Sequence, residues 1–323
     1  MNSARSRWRA VLLRHESVLL ALLLAEILFF NVAGARFGSL NNAFDIVRHS
    51  VEIGLLALVL TPIILTGGID LSLGSLLGLC AILFGKMWRD GGMPIELAAG
   101  CTLGIGALAG ALNAALIAGL RLPALIVTLG TYSLFRGLAE AITRGVDTFS
   151  NFPPVLLALG QERFAGLPAQ GWAFALIAAV VWLLVHRTTS GRAWRAIGFA
   201  PEGARYAGLP VTRRIASAYV LAGTVAALAA IIYTARVGQA KADAGTGYEL
   251  LAITAVVLGG TSIFGGIGTV HGTLLGVAAI AVLNNGLVHA RQPREVAGML
   301  TGALLLIALT LSAAARGLGS RRG

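Results

Sequence analysis

Charge is scarce in this sequence, and lysine scarcer still. Asp, Glu, Lys and Arg make up 12% of the 323 residues, and lysine occurs only at Lys86 and Lys241. A soluble domain carries about 25% charged residues, so this chain has too little polar surface to clothe a water-soluble fold. Cysteine is limited to Cys80 and Cys101, both inside apolar runs, where they read as small hydrophobes. No His/Cys/Asp cluster has metal-ligand spacing. Neither a nucleophile elbow nor a nucleotide-binding loop is found. The expectation is therefore a non-enzyme with no catalytic residue, no metal and no cofactor.

What the chain has in quantity is apolar sequence and glycine. It is 57% hydrophobic, with 42 glycines and a mean hydropathy of +0.82. Glycine at that density suits close packing between membrane helices. The net charge of +11 comes almost wholly from arginine. A nucleic-acid binder needs a basic solvated face, whereas these arginines sit between apolar runs, so nucleic acid is not an expected partner. About 20 apolar residues cross a bilayer core. Ten stretches qualify as expected spans: 17–34, 51–69, 71–88, 95–119, 123–142, 171–186, 215–235, 250–265, 270–290 and 296–314. The whole chain, 1–323, reads as one all-α integral membrane domain. Val32-Ala33-Gly34-Ala35 resembles a small-residue cleavage site, but the apolar run before it is long enough to remain as an anchor.

Alternating loops sort the basic residues to one side. Arg5, Arg7, Arg9 and Arg14 (amino end, 1–16), Arg121, the 187–214 segment and the tail, 315–323, fall together. Most acids, among them Asp90, Asp147, Glu162, Asp243 and Glu295, fall on the other side. Positive-inside bias then makes both termini cytoplasmic in a multi-pass inner-membrane protein. The outer loop 144–170 is long enough for a short helix. The inner loop 187–214 contains a compact stretch near 201–207, bounded by Pro201 and Gly208, which suits docking onto a cytoplasmic partner.

Weak internal repetition is visible. Leu65-Thr66-Gly67-Gly68 echoes Val257-Leu258-Gly259-Gly260. Leu112-Asn113 before Pro123 echoes Leu283-Asn284 before Pro293. Inverted-topology repeats with glycine-broken helices are typical of transport folds, with the pathway at the repeat interface.

The densest motif is Thr66-Gly67-Gly68-Ile69-Asp70-Leu71-Ser72-Leu73-Gly74-Ser75. An acid at membrane depth costs at least about 2.5 kcal/mol and must be paired, capped or wetted. Asp70 and Ser72 can cap the following helix; the same break can also form part of a gate, and the two roles are compatible. Gly259 to Gly268 forms a second irregular stretch, tolerated at membrane depth only against protein or a wet cavity. Asn113, Asn284, Asn285, Thr128, Thr131 and Tyr132 lie within apolar spans. They suit interhelical hydrogen bonding, and they also suit lining a path for a polyhydroxylated solute. Arg136 and Glu140 are spaced to pair on one helix face.

Taken together, Gly67 to Ser72, Pro123 to Thr131, the Gly191-Arg192 loop and Ala255 to Gly276 resemble the permease subunits of the ribose/xylose/rhamnose class of bacterial ABC importers. The resemblance covers roughly 45–315. It implies a ten-helix fold, two permease subunits, two cytoplasmic ATPase domains and a periplasmic solute-binding protein. It further implies that Gly191, Arg192, Ala196, Gly198, Glu202, Arg205, Tyr206 and Gly208 lie in the element that contacts the ATPase. Gly67, Gly68, Asp70, Ser72, Ser75, Asn113, Thr128, Thr131, Tyr132, Gly259, Gly260 and Asn284 are the expected path or gate residues. Many relatives carry Asn soon after the Ile-Gly pair, where this chain has Phe199-Ala200-Pro201. The Ala-Pro-Glu loop is most similar to the rhamnose and autoinducer-2 branch, in which two different permeases pair, so a paralogous partner is expected rather than a second copy. A secondary transporter driven by a cation gradient is the alternative, with Asp70 as its coupling group; a membrane scaffold or membrane enzyme is a more distant one.

Overall fold

The computed structural model of the protein describes residues 15–33 and 36–320. The arginines at 5, 7, 9 and 14, residues 34 and 35 of the small-residue run, and the last three residues of the tail lie outside this range.

Thirteen α-helices make up almost all of the described structure: α1 His15–Ala33, α2 Leu40–Leu65, α3 Leu73–Arg89, α4 Ile95–Ala114, α5 Ala124–Thr143, α6 Pro154–Gln161, α7 Ala169–Arg187, α8 Thr189–Phe199, α9 Pro201–Tyr206, α10 Val211–Val237, α11 Tyr248–Leu258, α12 Val270–His289 and α13 Arg294–Ser320. A π-turn, Ala115–Gly119, extends α4. A two-stranded hairpin, β1 Arg163–Phe164 and β2 Leu167–Pro168, follows α6.

Ten of these helices fall on the ten apolar stretches of the sequence. Seven are long and apolar enough to cross a membrane: α1, α2, α4 with its π-turn, α5, α7, α10 and α12. The other three are α3, with 17 residues, α11, with 11, and α13. At 1.5 Å per residue α11 is only about 16 Å long. Its apolar stretch reads as a span because the irregular residues on either side of it are also apolar or glycine. The architecture is that of an all-α, multi-pass membrane protein.

The core sits on α10 and the second half of α2. From Leu55 to Leu65, α2 is buried throughout. α10 packs against α2, α3, α4 and α6, and small residues let it come close. A methyl on Gly106 or Gly110 of α4 would overlap the carbonyl oxygens of Gly223 and Tyr219 on α10; one on Gly223 would overlap the Gly106 carbonyl. Apolar side chains gain little over lipid tails by meeting each other, so membrane helices associate through such close backbone packing and through interhelical hydrogen bonds. One buried bond of this kind joins Thr61 of α2 to Thr273 of α12 at 2.8 Å. An ion pair joins α10 to α2, Arg236 Nε to Glu52 Oε1 at 2.6 Å. A buried charge is tolerated only when paired in this way.

The short helix expected within 144–170 is α6, and the hairpin follows it. Segment 187–214 holds two helices, α8 and α9, of which the sequence suggested only the second. Pro201 opens α9 at its first position, where a missing N–H costs nothing, and Gly208 closes the segment in the left-handed region, φ 78°.

Candidate functional site

Three segments far apart in sequence meet at one end of the bundle: the α2–α3 link, the α11–α12 link, and α8. Gly265 lies between Gly67 and Gly198, such that an added methyl would sit 2.9 Å from the Gly67 nitrogen and 2.9 Å from the Gly198 Cα. Gly266 N donates to the Leu65 carbonyl at 2.9 Å. A methyl on Gly198 would overlap that same Leu65 carbonyl oxygen. Gly67, Gly265 and Gly266 all adopt positive φ, 84°, 89° and 80°, a region open to glycine at no steric cost.

Inside this junction the α2–α3 link is held by a polar network. Asp70 Oδ1 accepts from Ser72 N at 2.8 Å and from Ser72 Oγ at 2.6 Å. Asn113 Nδ2 of α4 donates to Ser72 Oγ at 2.9 Å, and Ser75 Oγ donates to the Ser72 carbonyl at 2.9 Å. Thr128 Oγ1 of α5 donates to the Ile69 carbonyl at 3.2 Å. All five polar side chains are buried, so an acid inside a membrane domain is matched by donors, as its desolvation requires. Thr131, one turn further along α5, is buried and bonded to its own helix; Tyr132 is half-buried. Gly259 abuts Gly272 of α12, and Gly260 turns the chain at φ 87°.

Asn284 does not join this junction. It lies toward the other end of α12, on a cavity of ≈ 350 Å³ shared with His49 and Ser50 near the start of α2. Its neighbour Asn285 exchanges hydrogen bonds with Asn42, 2.9 Å each way. Asn113 and Asn284 thus lie toward opposite ends of the molecule. The Gly67-Gly68 and Gly259-Gly260 pairs instead share one end.

α8 is fixed to the body by its own side chains. Trp194 Nε1 donates to the Arg214 carbonyl at 2.8 Å, and Arg214 Nη1 donates to Ser190 Oγ at 2.6 Å. Arg195 donates to the Val185 carbonyl at 2.8 Å. Partial burial draws its guanidinium below the ordinary arginine range. The eight expected docking residues divide into two groups. Gly191 and Gly198 are packing positions, with backbone where a methyl would go. Arg192, Ala196, Glu202, Arg205, Tyr206 and Gly208 face outward. Arg205 Nη1 and Glu202 Oε1 pair at 3.0 Å on α9. Two aromatic side chains stand free beside them, Phe199 at 82% and Tyr206 at 90% exposure, next to an open cleft of ≈ 490 Å³ between α8 and α9.

Two features escaped sequence reasoning. Arg136 does not turn to Glu140; its Nη1 donates to the carbonyls of Ala242 and Ala244, in the non-helical stretch 238–247 between α10 and α11. That stretch and the first turn of α11 lie against α3, with Gly245 and Glu249 filling the space left by Gly74. Tyr219 of α10 is buried and reaches the Gly68 turn. The only prior signal for either was a polar side chain within an apolar span.

Comparison with known proteins gives the family of the chain. The chain is 41% identical over 299 residues to the autoinducer 2 import system permease protein LsrD of Photorhabdus laumondii, covering 91% of this chain and 90% of that protein. It is 38% identical over 297 residues to the LsrD protein of Yersinia pseudotuberculosis, covering 90% and 89%. These relatives are transport subunits rather than enzymes. No solved structure matches this chain. The family described as "Branched-chain amino acid transport system / permease component" matches residues 42–309. The chain belongs to that permease family.

Proposed function

We propose that this chain is the membrane permease of an ATP-driven importer for autoinducer 2 or a closely related sugar-like solute. The observation that supports this best is the junction itself. α8 rests on the Leu65 carbonyl at the end of α2 and on Gly265 and Gly266 of the second glycine-broken link, and Gly265 in turn meets Gly67, so force applied to the exposed α8–α9 face reaches the Asp70 turn through these backbone contacts. α8 and α9 are the docking element for a cytoplasmic ATPase. The aromatic pair Phe199 and Tyr206 and the Arg205–Glu202 pair form its contact face, where a partner can bury apolar area beside charge. The segment 187–214 carries Arg187, Arg192, Arg195, Arg205, Arg213 and Arg214 against the single acid Glu202, which supports a cytoplasmic position for it and for both termini.

The relatives are named as permeases of autoinducer 2 import, which supports that solute and a periplasmic binding protein that delivers it. A paralogous permease completes the pair. The path runs from the outer end near Asn284 to the junction at Asp70, past Thr128, Thr131 and Tyr132. Uncharged amides and hydroxyls suit a neutral polyhydroxylated solute.

Reconstitution of the chain with its ATPase, paralogue and binding protein in liposomes tests the proposal. ATP-dependent uptake of autoinducer 2 that ionophores leave unchanged is expected, together with no ATP hydrolysis by the chain alone. Uptake that collapses with the ion gradient and persists without the ATPase would establish a secondary transporter instead.

A further inference from the structure

Tyr219 is the one buried phenol at the junction, and its hydroxyl has no hydrogen-bond partner. A methyl on Gly68 would sit 2.7 Å from that oxygen, so the hydroxyl presses on the turn that carries Asp70. The backbone of the same residue is locked from behind, because only a glycine at 110 leaves room for the Tyr219 carbonyl. Five residues earlier in α10 lies Arg214, which α8 grips twice, through Trp194 and through Ser190. Residues 214 and 219 are about 7.5 Å apart along one rigid helix. The docking element, α10 and the Asp70 turn therefore form a continuous line of contacts.

A buried hydroxyl left unpaired is costly, and phenylalanine would fill the same space without that penalty. The hydroxyl is useful only if it bonds in another arrangement of the same groups. We propose that Tyr219 is a positioning residue that couples the docking element to the gate: its hydroxyl is unpaired in the arrangement described here and donates to the Asp70 turn in the alternate transport state. A shift of α8 carries α10 along its axis and brings the hydroxyl from beside Gly68 onto the oxygens of that turn. The proposal rests on the reading of α8 and α9 as the ATPase docking element.

The test is Tyr219→Phe in the complete reconstituted importer, with uptake and ATP hydrolysis measured together and the melting temperature of the permease measured alongside. Tyr219→Phe is expected to leave the melting temperature unchanged or raised and ATP hydrolysis within twofold of wild type, while solute imported per ATP falls about tenfold. Gly68→Ala, which sets a methyl against the hydroxyl, is expected to block uptake, and Tyr219→Phe added to Gly68→Ala to restore part of it. A lowered melting temperature with an unchanged uptake-to-ATP ratio would mark the hydroxyl as structural and overturn the proposal, as would a parallel fall of uptake and hydrolysis. If the wild-type permease neither binds nor stimulates the ATPase, the docking reading itself fails, and that outcome is distinct from a normal wild type with an unaffected Tyr219→Phe ratio.

Discussion

At Gly198 a single hydrogen in place of a methyl decides whether α8 can lie on the junction. Gly198→Ala forces its methyl into the backbones of Leu65, Gly265 and Gly266; overpacking of this kind costs about 1–3 kcal/mol. Gly203→Ala on α9 meets only the Ala200 Cβ at 3.4 Å. It should be neutral, or stabilising by up to about 1 kcal/mol through helix propensity. Thermal unfolding of the two variants in detergent checks this, and equal melting temperatures would contradict it. Asp70 and Ser72 behave as a unit. Asp70→Ala strands the Ser72 amide and hydroxyl, Ser72→Ala strands the Asn113 amide, and each loss should cost about 1–3 kcal/mol. Because they share one hydrogen-bond network, the double variant should cost less than the sum. Additive losses in a double-mutant cycle would show that the network is not shared. Asp70 was legible in the sequence because an acid flanked by glycines interrupts apolar text. Tyr219 was not, since a tyrosine in an apolar helix has the same local signature whether it packs or transmits.

Among the elements, the stretch 238–247 and the proposed docking pair α8–α9 matter most. Buried carbonyls in a non-helical stretch need donors, and Arg136 supplies them for Ala242 and Ala244. Arg136→Gln should loosen the stretch, raising amide exchange across 238–247 while α10 stays protected; exchange unchanged there would contradict the assignment. Local spacing pointed Arg136 at Glu140, one turn away. The carbonyls win because buried acceptors with no other donor cost more than an exposed i,i+4 pair returns. For α8 and α9, Tyr206→Ala and Arg205→Glu should leave the fold intact, as both side chains face outward, yet reduce ATPase retention on the purified permease at least tenfold. Pull-down against the wild type reads this directly, and full retention in both variants would move the docking face elsewhere. Helix α9 was legible from Pro201 and Gly208. Helix α8 was hidden because its glycines, at 191 and 198, look like loop punctuation until the backbones they admit are seen.

On the scale of the whole molecule, fold class and helix positions followed from charge scarcity and apolar run length, since lipid imposes those constraints on every span alike. The meeting of the two glycine-broken links with α8 did not follow. Local patterning cannot say which loops share an end once one helix is as short as α11 and its flanks are themselves apolar. The central claim is that these three segments form one unit at the cytoplasmic face, where an ATPase grips it. Its most direct test is one cysteine at position 206, in a background with Cys80 and Cys101 replaced, labelled with a membrane-impermeant maleimide in inside-out and right-side-out vesicles. Labelling only in inside-out vesicles, and protection when the ATPase is bound, is the predicted result; labelling in right-side-out vesicles would contradict the account.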